Sequence, residues 1–342
     1  MMRLTPPSKF AAKRSDSDLA LIPVKIGDEQ HRKTFEMKTP VDPLHGLIKL
    51  FRSLFQLRNL RAGKRKRAPL KMHLRSRQDA LTKQAEREWT GGYILTDDRD
   101  FIYLPKELDI TALERLTHDP APEPIIAKVC PPGGTVMDVG ANMGDWALPM
   151  AKAVDATGRV FAFEPVPYLA DALDKTFRIN GLSTSVVSRK ALCDSIGEAI
   201  FTIAQQEGDL LNVRCSGLGV DLEDGFQTTV ATTTLDAFCE EQHIDRLDFI
   251  KIDVESFEAA VIQGGAKAIE RFRPAIVFEA GHWQETPEQR QIIHDTLAPL
   301  SYRIVGILIE HGVIEADWDS YLAFEAPFQK PLFYNILCQP HE

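Results

Sequence analysis

Three groups of residues have the types and spacing to do chemistry. The first is Val136-Met137-Asp138-Val139-Gly140-Ala141-Asn142-Met143-Gly144, an apolar run that closes on a carboxylate and a turn of small residues. Glycine in such a turn lets the backbone approach a ligand, and a helix that opens there offers unpaired amide hydrogens to a carboxylate or phosphate. Asp138, two residues before Gly140, is placed to meet an ammonium while the turn through Asn142 and Gly144 meets a carboxylate. An amino-acid moiety satisfies both. The second group is Glu164, which ends Phe161-Ala162-Phe163-Glu164-Pro165 twenty residues past Gly144. An acidic side chain at that distance accepts both hydroxyls of a ribose. Adenosine joined to an amino acid is S-adenosylmethionine, and that is the cofactor these two groups predict. The turn reads G-x-x-x-G rather than the G-x-G-x-x-G of a dinucleotide fingerprint, so a nicotinamide-dependent oxidoreductase is the disfavoured alternative.

The third group is Lys251-Ile252-Asp253-Val254-Glu255, followed by Glu279 and His282. In a doubly wound sheet the carboxyl ends of the strands face the ligand crevice, which places Lys251, Asp253 and Glu255 beside the cofactor as candidate catalytic groups. An acceptor hydroxyl loses its proton as the new bond forms, and a carboxylate or an amine nearby takes it. Asp253, the first residue to emerge from its strand, is expected to matter more than Glu255, which already lies in the turn. A Lys251–Asp253 ion pair of purely structural role and a magnesium ion held by Asp253, Glu255 and the substrate are the alternatives; no metal is required. Glu279 and His282 are candidates for the acceptor pocket. No Asp/Asn-Pro-Pro-Tyr block and no cysteine follow the strand before Asp253, which favours oxygen over a base nitrogen or carbon as the methylated atom.

Elements that position these groups follow from the hydrophobic pattern. Strands are predicted at Thr135–Val139, Arg159–Phe163, Val186–Val187, Ala199–Ile203, Leu247–Ile252, Ala275–Phe278, Arg303–Leu308 and Leu332–Leu337, with a polar loop between Ile203 and Leu247. Helices are predicted at Trp146–Val154, where Pro149 should kink or shorten the helix, at Tyr168–Asn180 with Gly181 capping its end, and at Glu258–Phe272 and Pro287–Leu300. Alternating strands and helices give an α/β fold, a doubly wound, mainly parallel sheet with an antiparallel C-terminal edge strand.

Taken together, Asp138-Val139-Gly140-Ala141-Asn142-Met143-Gly144, Ala162-Phe163-Glu164-Pro165, Thr234-Leu235-Asp236, Ile250 to Glu255 and Arg273 to Glu279 resemble the ordered motifs of FkbM-type methyltransferases. The resemblance covers residues 133–279. It implies a class I methyltransferase (Rossmann-like) fold, S-adenosylmethionine as donor, and an oxygen of a sugar or small natural product as acceptor. The family pattern has glycine after the Asp-Val-Glu block, where this chain has Ser256. If that glycine supplies a positive φ, serine strains the turn, and a methyltransferase-like binding module without catalysis is a further alternative.

The chain divides by charge. About 21 basic and 9 acidic side chains precede residue 91, against roughly 19 and 40 after it, within 342 residues of formal net charge -9. Residues 1–90 form a basic extension, and Asp42-Pro43 opens an amphipathic helix near 43–61, with Leu44, Leu47, Ile48, Phe51, Leu54 and Phe55 on one face and Lys64 to Arg67 behind it. That face and its cationic flank suit the surface of an anionic membrane; packing on the catalytic domain is the alternative. Nucleic acid is the weaker partner, because no aromatics interleave the cationic tail. A hairpin at Tyr93–Leu95 and Phe101–Leu104 and a helical lead-in fill 91–132, and the methyltransferase domain spans 133–342. No apolar stretch approaches the roughly 20 residues of a membrane span or a signal sequence, and five scattered cysteines without a CxxC pair read as reduced thiols. A cytoplasmic protein, peripheral at most to a membrane, is expected. Neither the acceptor nor the oligomeric state is written in these patterns.

Overall fold

The computed structural model describes residues 90–95, 100–107, 123–205, 211–218, 225–281, 285–309, 312–325, 328 and 334–341. The amphipathic segment near 43–61, its Lys64–Arg67 tail and His282 lie outside them. Among the described residues no helix is long and apolar enough to cross a membrane.

The element order is β1 (Gly92–Leu95), β2 (Phe101–Leu104), α1 (Glu123–Val129), β3 (Thr135–Val139), α2 (Ala147–Val154), β4 (Arg159–Phe163), α3 (Pro167–Ile179) and β5 (Ser185–Ser188). Then come β6 (Ala191–Leu192), β7 (Gly197–Gln205), β8 (Leu211–Leu218), β9 (Gly225–Thr233), α4 (Leu235–Glu241), β10 (Phe249–Ile252), α5 (Glu258–Gly264) and α6 (Ala266–Phe272). The chain closes with β11 (Ala275–Ala280), α7 (Pro287–Leu297), β12 (Tyr302–Ile309), β13 (Gly312–Ile314), α8 (Trp318–Ala323) and β14 (Tyr334–Pro340).

Eight strands form the central sheet in the order β13-β12-β14-β11-β10-β3-β4-β5. β11, β10, β3, β4 and β5 run parallel. Every residue of β3 and β10 is buried, as strands covered by helices on both faces must be. The pleat then sorts side chains. Met137, Val139, Ile250, Ile252, Ile276 and Phe278 join one apolar layer, while Val136, Phe249 and Val277 join the other, under α2. Because Lys251 is in register with both Asp138 and Val277, the alternation puts Asp138, Lys251, Asp253 and Glu279 on the α2 face. A strip of polar groups thus closes the second apolar layer at the carboxyl ends of the strands.

Strands β3 and β4 occupy the predicted spans. The hairpin β1–β2 also forms, with its Ile102 and Leu104 side buried beside Met143, Leu148 and Leu169, and Lys152 holds it through Asp100 at 2.8 Å. Pro149 stands third in an eight-residue helix; in a first turn its missing N–H has no intrahelical partner to lose.

Three expectations need correction. The predicted polar loop after Ile203 contains β8 and β9, which form with β6 and β7 a separate sheet of order β6-β9-β7-β8. In β9 the run Thr228-Thr229-Val230-Ala231-Thr232-Thr233 is strand-forming through β-branching, but its hydroxyls erase the apolar/polar alternation. The C-terminal strand β14 is antiparallel, but it lies between β11 and β12, and the antiparallel edge is β13. Ile336, Leu337 and Cys338 are at most 1% exposed, too apolar for a sheet edge. The predicted helix Glu258–Phe272 breaks into α5 and α6 at Gly264-Gly265. A Cβ on Gly264 would stand 2.2 Å from the Cys193 carbonyl oxygen, so the junction packs directly on backbone. Gly264→Ala should therefore destabilise the fold by about 1–3 kcal/mol, read as a fall in Tm of roughly 2–10 °C in a thermal melt.

Candidate active site

The carboxyl ends of β3, β4, β10 and β11 border a cleft of ≈ 210 Å³. Its wall contains Asp138, Gly140, Asn142, Glu164, Lys251, Asp253, Glu255 and Glu279, eight of the ten residues predicted from sequence. Gly144 is not part of this wall, and His282 lies outside the described residues. Gly144 is in the left-handed region at φ +101, and a Cβ there would meet Leu173 Cδ1 at 2.8 Å; its service is to the turn and to packing against α3. Gly140, at φ +83, differs from expectation in another way. A Cβ on it would fall 1.8 Å from the Asp253 carbonyl oxygen, so glycine here lets the β3 and β10 turns touch each other.

One half of the cleft is a cradle of backbone and carboxylate. Glu164 accepts hydrogen bonds from the Asn142 and Val166 amides, each at 2.9 Å, which fixes the carboxylate at the end of β4 while each oxygen keeps a second lone pair. Burial raises its pKa to about 7 against the pull of those amides. Asp138 is 2% exposed, and its Oδ2 is buried without a hydrogen-bond partner. Burial lifts its pKa to about 7, opposed by Lys251 and assisted by Asp253. An unpaired carboxylate oxygen in a cleft wall is costly unless a donor arrives from the ligand. S-adenosylmethionine fits these residues: Asp138 would hold the ammonium, Glu164 the ribose hydroxyls, and the β3 turn the carboxylate. Asp145, Trp146, Leu169, Ala191, Leu192 and Phe201 extend the wall. Sequence reasoning missed them because they are short, mostly apolar pieces brought together from the turn after β3, α3, β6 and β7.

The other half is an ionic cluster around one cation. Lys251 is 1% exposed; its Nζ lies 2.8 Å from Asp253 Oδ2 and 5.2 Å from the centre of the Trp146 ring. Burial works against its charge, but the surrounding carboxyl groups, Asp253 foremost, outweigh burial and hold its pKa above the ordinary value. These neighbours thus favour Lys251 as an ammonium. Glu279 is pushed up to about 10 by burial and by Asp253, which keeps it protonated and able to donate. Glu258, not anticipated from sequence, accepts the Val254 amide at 2.9 Å and is raised by burial to about 8. Asp253, Glu258 and Glu279 each bring one carboxylate oxygen within 4.8 Å of the others. This is the set able to hold a cation, with Glu258 in place of Glu255; Lys251 and the Val254 amide already engage two of its members.

The elevated pKa of Asp138 fixes the sign of a pH effect. Below about pH 7 the empty cradle carries a proton that an incoming ammonium must displace, so affinity for S-adenosylmethionine should rise with pH toward 7 and level off above it. Calorimetry near pH 7 in two buffers of different ionisation enthalpy should show proton release on binding. Asp138→Asn should lose much of that release and bind about ten- to hundredfold more weakly at pH 8; an unchanged affinity would remove Asp138 from the cradle.

Residues 138–312 match the model of the methyltransferase FkbM domain. No curated protein matches the chain. Similar solved structures include methyltransferase FkbM from Methylobacillus flagellatus KT, at 15% identity over 67% of this chain and 58% of that one with TM-score 0.38. A SAM-dependent O-methyltransferase from Thermotoga maritima shares 14% identity over 74% and 79% of the two chains, TM-score 0.33. A SAM dependent methyltransferase from Aquifex aeolicus shares 12% over 68% and 94%, TM-score 0.34. With the domain model spanning half of its length, over the strands and turns that build the cleft, the chain belongs to the FkbM family of S-adenosylmethionine-dependent methyltransferases.

Proposed function

We propose that the enzyme methylates a hydroxyl oxygen on an uncharged sugar or other small hydroxylated metabolite. The observation that carries this reading is the carboxylate of Asp253, held by the buried Lys251 ammonium at 2.8 Å and open to the cleft with a side chain 31% exposed. The cofactor supplies an electrophilic methyl group, displaced in line from sulfur. The residues must supply what a hydroxyl lacks: a fixed orientation and a destination for its proton. Asp253 accepts the hydroxyl's hydrogen bond and takes the proton as the C–O bond forms. Lys251 fixes and steers the Asp253 side chain through their 2.8 Å ion pair. Protonated Glu279 donates to a second oxygen of the acceptor and so orients it.

Charge supports the acceptor class. Asp145, Asp253 and Glu255 lie on the cleft wall, and among the described residues that line it Lys251 is the one Lys or Arg, already paired with Asp253. A phosphorylated or carboxylated acceptor would meet net repulsion there, whereas a neutral polyol meets hydrogen-bonding partners.

Incubation with methyl-labelled S-adenosylmethionine and a panel of neutral and anionic glycans and polyols, read by mass spectrometry, tests the reading. Label should appear on oxygen of neutral members. Transfer to nitrogen or carbon, or preference for anionic members, overturns it, and cofactor binding with no product from any acceptor class favours a binding module. On the acceptor found, Asp253→Asn should lower kcat by about 10²-fold with cofactor affinity nearly unchanged, and Glu255→Gln should lower it less. Turnover of Asp253→Asn at the wild-type rate would pass the role to another cleft residue.

A further inference from the structure

The turn that carries Asp253 and Glu255 into the cleft is strained. Glu255 and Ser256 are consecutive side-chain-bearing residues at φ +53 and φ +76, in the region where Cβ crowds the backbone. Ser256 is also buried, at 6% exposure. Such a conformation persists only where its surroundings over-determine it. Three contacts do so. The Asp253 amide donates to the Val139 carbonyl at 2.9 Å, and the Val254 amide donates to Glu258 Oε1 at 2.9 Å. At the far end Gln289 Nε2 donates to the Ser256 carbonyl at 2.7 Å, across 33 residues of sequence.

Gln289 is also the third residue of α7, and its other atoms cap that helix. Its Oε1 accepts the Thr286 amide at 2.8 Å, and its own amide donates to Thr286 Oγ1 at 3.3 Å. Thr286 in turn follows Glu285, whose carboxylate accepts the Gly281 amide at 2.7 Å and the Tyr321 hydroxyl at 2.9 Å. Gly281 is two residues past Glu279. Two neighbouring side chains, Gln289 and Glu285, therefore join the turn bearing Asp253 and Glu255 to the segment that leaves Glu279, the two acceptor-side walls of the cleft. The cradle of Asp138 and Glu164 hangs on neither tie.

We propose that Gln289 is a positioning residue for the acceptor half of the active site: through the Ser256 carbonyl it holds the strained Asp253–Ser256 turn at a fixed offset from Glu279. The kinetic part of this inference rests on the reading of Asp253 as the group that meets the acceptor; the structural part does not. It also accounts for a serine where a glycine would carry no strain, since a clamped turn tolerates a Cβ that a free turn would not.

Gln289→Glu separates the two jobs of the side chain. Glutamate still accepts the Thr286 amide, as in an ordinary capping box, but it presents an acceptor where the Ser256 carbonyl needs a donor. Hydrogen exchange of the Gln289→Glu enzyme should show the amides of residues 254–257 exchanging about tenfold faster or more, with Tm within about 3 °C of wild type. Affinity for S-adenosylmethionine should stay within roughly threefold. On the neutral acceptor found in the panel, the KM for acceptor should rise and kcat fall while the KM for cofactor holds, and adding Ser256→Gly should recover most of the lost kcat, because glycine adopts φ +76 without the clamp. Unchanged exchange at 254–257 would reduce Gln289 to a helix cap and overturn the proposal, as would equal losses of Tm and cofactor affinity. Wild-type turnover by Asp253→Asn would sink the acceptor reading instead, and the exchange result would still decide the role of Gln289.

Discussion

A single buried cation organises this active site. Lys251 sits in the middle of the central sheet, flanked by β3 and β11 and covered by α2, where an unneutralised ammonium is far more costly than in water. The pleat puts three carboxyl groups on the same face: Asp138 beside it on β3, Asp253 two residues on, and Glu279 on the neighbouring strand. Three carboxylates around one cation cannot all ionise at the same cost. Asp253, closest at 2.8 Å and partly open to the cleft, is the direct partner. Glu279, deeper and facing Asp253, keeps its proton. Asp138 is left close to neutrality, raised by burial and restrained by Lys251. One ion pair thus has a neutral acid and a titratable group beside it within a single cleft.

That division has a geometric cost, visible in the turns. The β3 and β10 turns are pressed together so closely that only glycine fits at Gly140, opposite the Asp253 carbonyl. With Asp253 pinned there, the chain must turn sharply to enter α5, and Glu255 and Ser256 absorb the reversal in left-handed conformations. Placing Asp253 beside Lys251 and straining Glu255 and Ser256 are therefore one event. The contacts from Glu258 and Gln289 fall on the amide and carbonyl of that strained stretch because its backbone groups, leaving the sheet, have no ladder to join.

Much of the cofactor half was legible in the sequence because it is contiguous. Asp138 to Asn142 and Glu164 occupy strand ends whose spans follow from apolar runs bounded by glycine and proline, and the strand β3 emerges at its predicted residues. The acceptor half was legible only where residues share a strand, as Lys251 and Asp253 do. Glu258 and Gln289 give no local sign of their part. Glu258 reads as an ordinary first-turn glutamate and Gln289 as the third residue of a capping box, and only the tertiary fold turns each toward the 253–256 turn. The second sheet was hidden for a different reason, since threonines in β9 supply β-branched shape with hydroxyl polarity, and a period-two search weighs only the polarity. Position within a sheet was likewise outside what periodicity encodes. The apolar run Ile336-Leu337-Cys338 in β14 demands two neighbours, yet nothing local says which two.

The two halves also differ in how they tolerate change. In the cradle Asp138 lies within β3, between β4 and β10, and Glu164, one residue past β4, is held by its own amide on the Ser188 carbonyl and by the Asn142 and Val166 amides on its carboxylate. In the acceptor half Asp253 lies just beyond the last ladder residue of β10, and its direction is set by an ion pair and by side-chain contacts from Glu258 and Gln289. Side-chain contacts can be exchanged one at a time without disturbing the sheet, whereas a strand end cannot. A fold built this way can keep one cofactor while its acceptor wall is remodelled by substitutions at positions such as 256, 258 and 289.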